Sequence, residues 1–216
     1  VYKRQVEVIQ MAVKANHDIS SGLDTAFINS AINSNLAYRP EFVSNDYTQG
    51  KKVSVAIERE LRHCDAFYIS VAFITEGGLA PLKQVLAELR DKGIPGKILT
   101  TSYLTFTEPK ALKTLADLSN VEVRVYDSTD EGASGFHTKG YIFKEEEIYR
   151  FIVGSSNMTA SAFSVNKEWN TKLVSTSDGE LLKQMMTEFN ALWNNEHTYA
   201  VEDFICLLYT SDAADD

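Results

Sequence analysis

Phe136-His137-Thr138-Lys139-Gly140-Tyr141-Ile142-Phe143, the acidic turn Lys144-Glu145-Glu146-Glu147, and Ile148-Tyr149-Arg150-Phe151-Ile152-Val153-Gly154-Ser155-Ser156-Asn157 form the stretch on which the fold is decided. Lys139 to Phe143 and Ile148 to Val153 alternate or run apolar on either side of the turn, which predicts a β-hairpin. His137 and Lys139 are two apart, so on a strand both side chains leave the same face. The Gly-Ser-Ser-Asn run closes the neighbouring strand, and a further strand is predicted from Glu168 to Val174. His137, Lys139, Asn157 and Glu168 can therefore converge at one edge of a sheet.

Working outward from the hairpin, the pattern becomes an alternation of strands and helices. Ala66 to Phe73 reads as a buried strand, Gly77-Gly78 as a break before a helix over Leu79 to Lys92, and Lys97 to Thr100 as a short strand after the Gly93 stop. A helix starting behind Glu108-Pro109 leads to a strand at Val121 to Tyr126, and Asp127 to Ser134 is turn-like. Such alternation implies parallel pairing with right-handed crossovers. Val53, Ile57 and Leu61 mark one face of a helix ending near His63, and Leu181 to Trp193 reads as a closing amphipathic helix. The expected fold class is α/β, a sandwich with a mixed, mostly parallel central sheet flanked by helices. Residues 51–205 form the expected domain. Residues 6–50 read as a helical lead-in, with a helix beginning after Ser20-Ser21 that carries Leu23, Ala26, Phe27 and Ala31 on one face. Residues 1–5 and 206–216 resemble translated sequencing-adapter sequence; they are expected to be foreign tails, with the native protein extending beyond both.

A chain of 216 residues, 44% hydrophobic and 24% charged, can bury one sizeable core. Its net charge of -9 is not that of a passive nucleic-acid binder, so any phosphate binding must be local. No apolar stretch approaches the roughly 20 residues of a membrane span. With no basic-then-apolar leader at its start, a cytoplasmic location without membrane contact is expected. Cys64 and Cys206 have neither C-x-x-C spacing nor a ligand cluster around them, so no metal site, disulfide framework or cofactor is expected. No G-x-x-x-x-G-K-[ST] run occurs, so the chain does not itself hydrolyse ATP.

The order H-x-K at His137 to Lys139, G-S-x-N at Gly154 to Asn157, then Glu168 resembles the signature of the phospholipase D superfamily in its nuclease branch. From Ser21-Gly22-Leu23-Asp24 through Asn166-Lys167-Glu168-Trp169-Asn170 the chain is similar to the phospholipase-D-like module at the amino end of certain bacterial superfamily II helicases. That resemblance implies a metal-independent phosphodiesterase acting on nucleic acid, DNA rather than RNA, through a phosphohistidine. His137 would be the nucleophile, Glu168 would hold the imidazole tautomer, and Lys139 and Asn157 would steady charge on the non-bridging oxygens, with Ser155 and Ser156 as substrate-binding hydroxyls. The family also supplies a second histidine as general acid. His17, His63 and His197 are followed at +2 by Ile19, Asp65 and Tyr199, so none begins another H-x-K. The resemblance therefore implies a homodimer with one composite site, and a helicase domain in the full-length protein. In the commonest motif an acid follows the lysine after four residues; here that position is Lys144.

Other readings compete at each point. A degenerate pair of motifs would leave a nucleic-acid-binding or dimerisation module without turnover. Lipid chemistry is disfavoured, because phospholipid members usually carry two motifs in one chain. Asn157-Met158-Thr159 fits a glycosylation sequon by coincidence. Phe67, Tyr68, Phe73 and Trp169 read most economically as core packing, and Lys51-Lys52 and Glu145 to Glu147 as solvated faces.

Overall fold

In the computed structural model of the chain, residues 2–102 and 107–204 are described, with side chains from residue 13 onward. The expected tail 206–216, with Cys206, and the side chains of the expected tail 1–5 lie outside the described residues.

The order is α1 (Tyr2–Phe27), β1 (Glu41–Val43), α2 (Val53–Leu61), β2 (Ala66–Val71), α3 (Glu76–Leu79), α4 (Lys83–Lys92), β3 (Gly96–Thr101), α5 (Pro109–Ala116), β4 (Val121–Tyr126), β5 (Lys139–Glu145), β6 (Ile148–Gly154), α6 (Ala160–Ser164), β7 (Asn170–Thr176), α7 (Glu180–Trp193) and β8 (Thr198–Ala200). Among the described residues the strands form one sheet in the order β1-β7-β6-β5-β2-β3-β4-β8. Helices cover both faces, as expected of an α/β sandwich. Phe67, Ile69 and Val71 alternate along β2 toward Ile57 and Leu61 of α2, Val85 and Leu89 of α4, and Leu112 and Leu115 of α5. Ile142 and Phe151 face Leu182 of α7 on the opposite side, where Phe189 and Trp193 cover Leu99 and Tyr126.

Strand directions depart from the expected mostly parallel sheet. β2, β3 and β4 run parallel, joined by helical crossovers. The hairpin and the strand after it add antiparallel pairs at β2–β5, β5–β6 and β6–β7, and β1 and β8 close the edges antiparallel as well. The tight turn between β5 and β6 permits only an antiparallel pair, and with β2–β5 also antiparallel the two parallel pairs are outnumbered.

The lead-in also differs. One helix runs through Ser20-Ser21 rather than beginning after them, and its buried face is Ile19, Gly22 and Thr25, while Leu23, Ala26 and Phe27 face outward. Gly22 sets that choice: a Cβ there would lie 2.6 Å from the Tyr38 carbonyl oxygen, so the helix meets the following segment backbone to backbone. Residues 41–43, inside the stretch expected to be helical, form β1 on the edge of the sheet. Trp169, expected in the core, is 75% exposed. Cys64 is buried, and burial pushes its thiol up to about 12, which makes it inert.

Gly77-Gly78 does not break the chain before a helix; both glycines lie inside α3, which Thr75 caps through Gly78 N at 3.1 Å. The reason is contact. A Cβ on Gly78 would sit 2.0 Å from the carbonyl oxygen of Met158, so only glycine lets α3 lie against the start of α6. Gly78→Ala is accordingly expected to destabilise the chain by about 2–3 kcal/mol in urea unfolding; a loss below about 0.5 kcal/mol would contradict this packing.

Candidate active site

β5 begins at Lys139, in register with Val71 at the end of β2. Just before it, Ala72 N donates to Thr138 O at 3.0 Å, and the Ser70 and Thr138 hydroxyls pair at 2.6 Å. These bonds extend the β2–β5 pairing past the last regular residue and fix where His137 and Lys139 emerge. Phe136 is buried and stacks on Tyr126 at 5.5 Å, anchoring the loop that delivers the exposed His137. The Lys139 ammonium lies 2.8 Å from Nδ1 and 3.2 Å from Nε2 of His137, and donates to its carbonyl oxygen at 3.1 Å. An ammonium can only donate, so the ring nitrogen it meets accepts with a lone pair.

Asn157 follows β6. Its Oδ1 accepts from Phe73 N at 3.2 Å, and this assigns the amide: the oxygen faces the chain, leaving the Nδ2 hydrogens to donate elsewhere. The Phe73 ring meets the His137 imidazole edge-on at 6.1 Å. Glu168 is buried just ahead of β7, where its carboxylate accepts from Ser155 Oγ, which in turn accepts from Trp169 N at 3.1 Å. A cavity of about 580 Å³ is lined by Phe73, Asn157, Glu168, Thr75 and Glu108 among others.

The sheet thus brings His137, Lys139, Asn157 and Glu168 to one edge. Two refinements concern the serines and the carboxylate. Ser156 is fully buried, with its Oγ accepting from Asn170 Nδ2 at 2.9 Å, so it braces the loop instead of lining the site. The hydrogen bond of Glu168 goes to Ser155, while the ring nitrogens of His137 meet Lys139. Sequence reading missed Phe73, whose main chain holds Asn157, and Asn170; only knowledge of which strands are neighbours would have found them. It also missed Asp65. With Lys144 in the place of the usual acid, the Asp65 carboxylate accepts from Glu146 N at 2.7 Å, and Asp65 N donates to Lys144 O at 2.7 Å. A carboxylate thus braces the hairpin turn from the neighbouring strand, where Glu146 adopts a φ of 52°.

Two groups feel the burial of this edge. The Tyr141 hydroxyl is held well above its ordinary range by burial and then by Glu168, and stays protonated to donate to Ser156 O at 2.9 Å. Burial pushes Lys139 down, and the attraction of Glu168 opposes this only in part.

An α/β sheet that gathers one H-x-K pair, a G-S-x-N asparagine and a glutamate at a single edge defines a phospholipase-D-like protein. The chain belongs to this family: the family model described as cardiolipin synthase, PLD-like domain, matches residues 63–193. Similar solved structures include Nuc, a phospholipase D family member from Salmonella typhimurium, with TM-score 0.55 and 16% identity over 75% of this chain and 99% of that one. NucT from Helicobacter pylori gives 0.57 and 16% over 75% and 98%. Phosphatidylserine synthase from Haemophilus influenzae gives 0.53 and 15% over 75% and 39%. At these identities the likeness is one of fold. No curated protein sequence matches the chain. No helix among the described residues is long and apolar enough to cross a membrane.

The lowered pKa of Lys139 has a measurable consequence. Folding disfavours its charged form, so that cost is fully present below the folded pKa and disappears as pH rises through the interval up to the ordinary lysine value. Lys139→Met is expected to melt higher than wild type at neutral pH, with the gain shrinking through that alkaline interval. A gain that grew with pH would reverse the assignment.

Proposed function

We propose that the chain is a metal-independent phosphodiesterase that cleaves nucleic acid, DNA rather than RNA, through a phosphohistidine. The observation that carries this reading is the meeting of His137 and Lys139 with Asn157 and Glu168 at one sheet edge. A phosphodiester arriving there competes for the Lys139 ammonium, placing a non-bridging oxygen against it and freeing the imidazole lone pair. The Asn157 Nδ2 hydrogens donate to the other non-bridging oxygen. The imidazole attacks phosphorus, the bond to the leaving oxygen breaks, and that oxygen takes a proton from a histidine of a second copy. Water deprotonated by that histidine then attacks phosphorus, the P–N bond breaks, and the imidazole is restored. Glu168, oriented by Ser155, supplies negative charge beside the developing imidazolium. His137 is the only H-x-K histidine in the sequence, so the composite site calls for a homodimer, and the likeness to helicase-fused modules makes this chain the nuclease portion of a longer protein.

Plasmid nicking in EDTA tests the reading. Wild type is expected to nick, His137→Ala to lose about 10³-fold or more, and quenching in detergent at alkaline pH to trap a labelled protein that loses its label on later acid treatment, as a phosphoramidate does. Sedimentation is expected to give twice the chain's mass. Equal nicking by His137→Ala would end the proposal; wild type that binds without nicking would leave a binding module in its place.

A further inference from the structure

Beside the site, the side chain that ought to be in the core is outside. The Trp169 ring is 75% exposed and the Phe42 ring 63%, and they meet edge to face at 5.7 Å. Trp169 is the residue after Glu168, and its N–H is bonded to the Ser155 hydroxyl that holds the Glu168 carboxylate, so the ring pair begins at the rim of the site. On its other side Phe42 borders a cavity of about 420 Å³ whose wall includes Lys51 and Lys52. These two lysines are exposed and take no ion pair among the described residues. Arg59 shares that wall but is occupied by Glu41 and Glu60. Lys167 reaches the same loop, with Nζ 3.4 Å from Asn45 O. The surface is fixed in place: buried Asn45 donates to Ala162 O and Asn166 O at 2.8 Å and accepts from Val53 N at 2.9 Å, tying the loop after β1 to the segment that carries Lys167 and Trp169.

We propose that Trp169, Phe42, Lys51, Lys52 and Lys167 form a track for single-stranded DNA flanking the scissile phosphate. The inference rests on the nuclease reading of the site and names the form of substrate it takes. Exposed aromatic faces stack unpaired bases of any identity, and lysines follow the backbone; a duplex, with its bases already stacked, offers the rings nothing. The charge favours this occupant as well. On a chain of net charge -9, three lysines beside two exposed rings outnumber the loop's own Asp46, whose carboxylate feels Lys167, and leave a local excess of the sign that phosphate requires. A two-fold contact between copies centred on this patch would set the lysines against their own counterparts.

Binding is measured with the whole chain carrying His137→Ala, so that nothing is consumed, using short fluorescein-labelled oligo-dT. The oligonucleotide is expected to quench the red-shifted emission of Trp169 and leave the buried Trp193 unaffected. Trp169→Ala is expected to weaken binding by roughly 5- to 150-fold, with Trp169→Phe recovering most of it. Lys51→Gln with Lys52→Gln is expected to reduce the slope of log affinity against log salt by roughly 1.4. Unchanged affinity in these variants overturns the track, and so does a Trp169→Ala chain whose solution mass halves, because the rings would then be a subunit contact. Trp169-dependent binding by a chain that never nicks DNA would keep the track and remove the nuclease reading.

Discussion

The pairing of β2 with β5 is the constraint on which the rest depends. It joins two halves that obey different rules, a parallel set built by helical crossovers and an antiparallel set built on one hairpin and the strand that returns beside it. The register Val71↔Lys139, continued by Ala72 N to Thr138 O, brings the end of one half against the start of the motif in the other. Phe73, one residue further along, then uses its main-chain N–H to hold Asn157 from β6 and its ring to touch His137. A slip of one residue in that register would turn Lys139 to the opposite face and remove Asn157 from its support.

Two lysines of the sheet, Lys172 buried and Lys139 half-buried, show what separates a structural charge from a chemical one. Lys172 on β7 is 3% exposed and meets carboxylates of Glu41 at 2.8 Å and Glu60 at 3.3 Å, so its charge is paired twice within the fold. That cluster stitches β1 and α2 to the sheet. Lys139 takes no ion pair among the described residues and feels Glu168 only through space, and its ammonium is disfavoured accordingly. A charge left short of its partners costs stability and holds unused capacity for an anion, the combination that a phosphate site requires.

The sequence made the hairpin legible because alternation on both sides of an acidic turn has one reading. It also made the H-x-K and G-S-x-N motifs legible, since spacing and strand order are local properties. Other features depended on contacts made across the fold. Glycines 77 and 78 looked like a break because nothing in the local sequence announces that α3 must touch the Met158 carbonyl. Ser156 looked equivalent to Ser155, yet one residue on, the loop turns its hydroxyl inward to Asn170. Trp169 looked like core because apolarity says nothing about which way a residue at the end of a loop faces. The edge strands β1 and β8 were missed because three residues are too few to show a period.

The other histidines bear on why one chain is not enough for the chemistry proposed. His63 sits at the end of α2 with Nδ1 2.9 Å from Arg59 O, and lines a cavity with Glu145 and Lys172 at the turn end of the hairpin, opposite the end where Lys139 lies. His197 is tied to Asp130 at 3.2 Å and packs against Tyr126, with Glu196 3.9 Å from its other nitrogen. His17 lies on the lead-in helix with Asp18 for a neighbour. His17 and His63 are engaged away from the end of the sheet that carries His137, and His197, at the same end beyond Tyr126 and Phe136, has its ring nitrogens taken by Asp130 and Glu196, whereas an in-line displacement needs its acid on the far side of phosphorus from its nucleophile. An exposed His137 at the rim of an open edge can face a copy of itself, and two-fold symmetry would then supply nucleophile and acid from one sequence position.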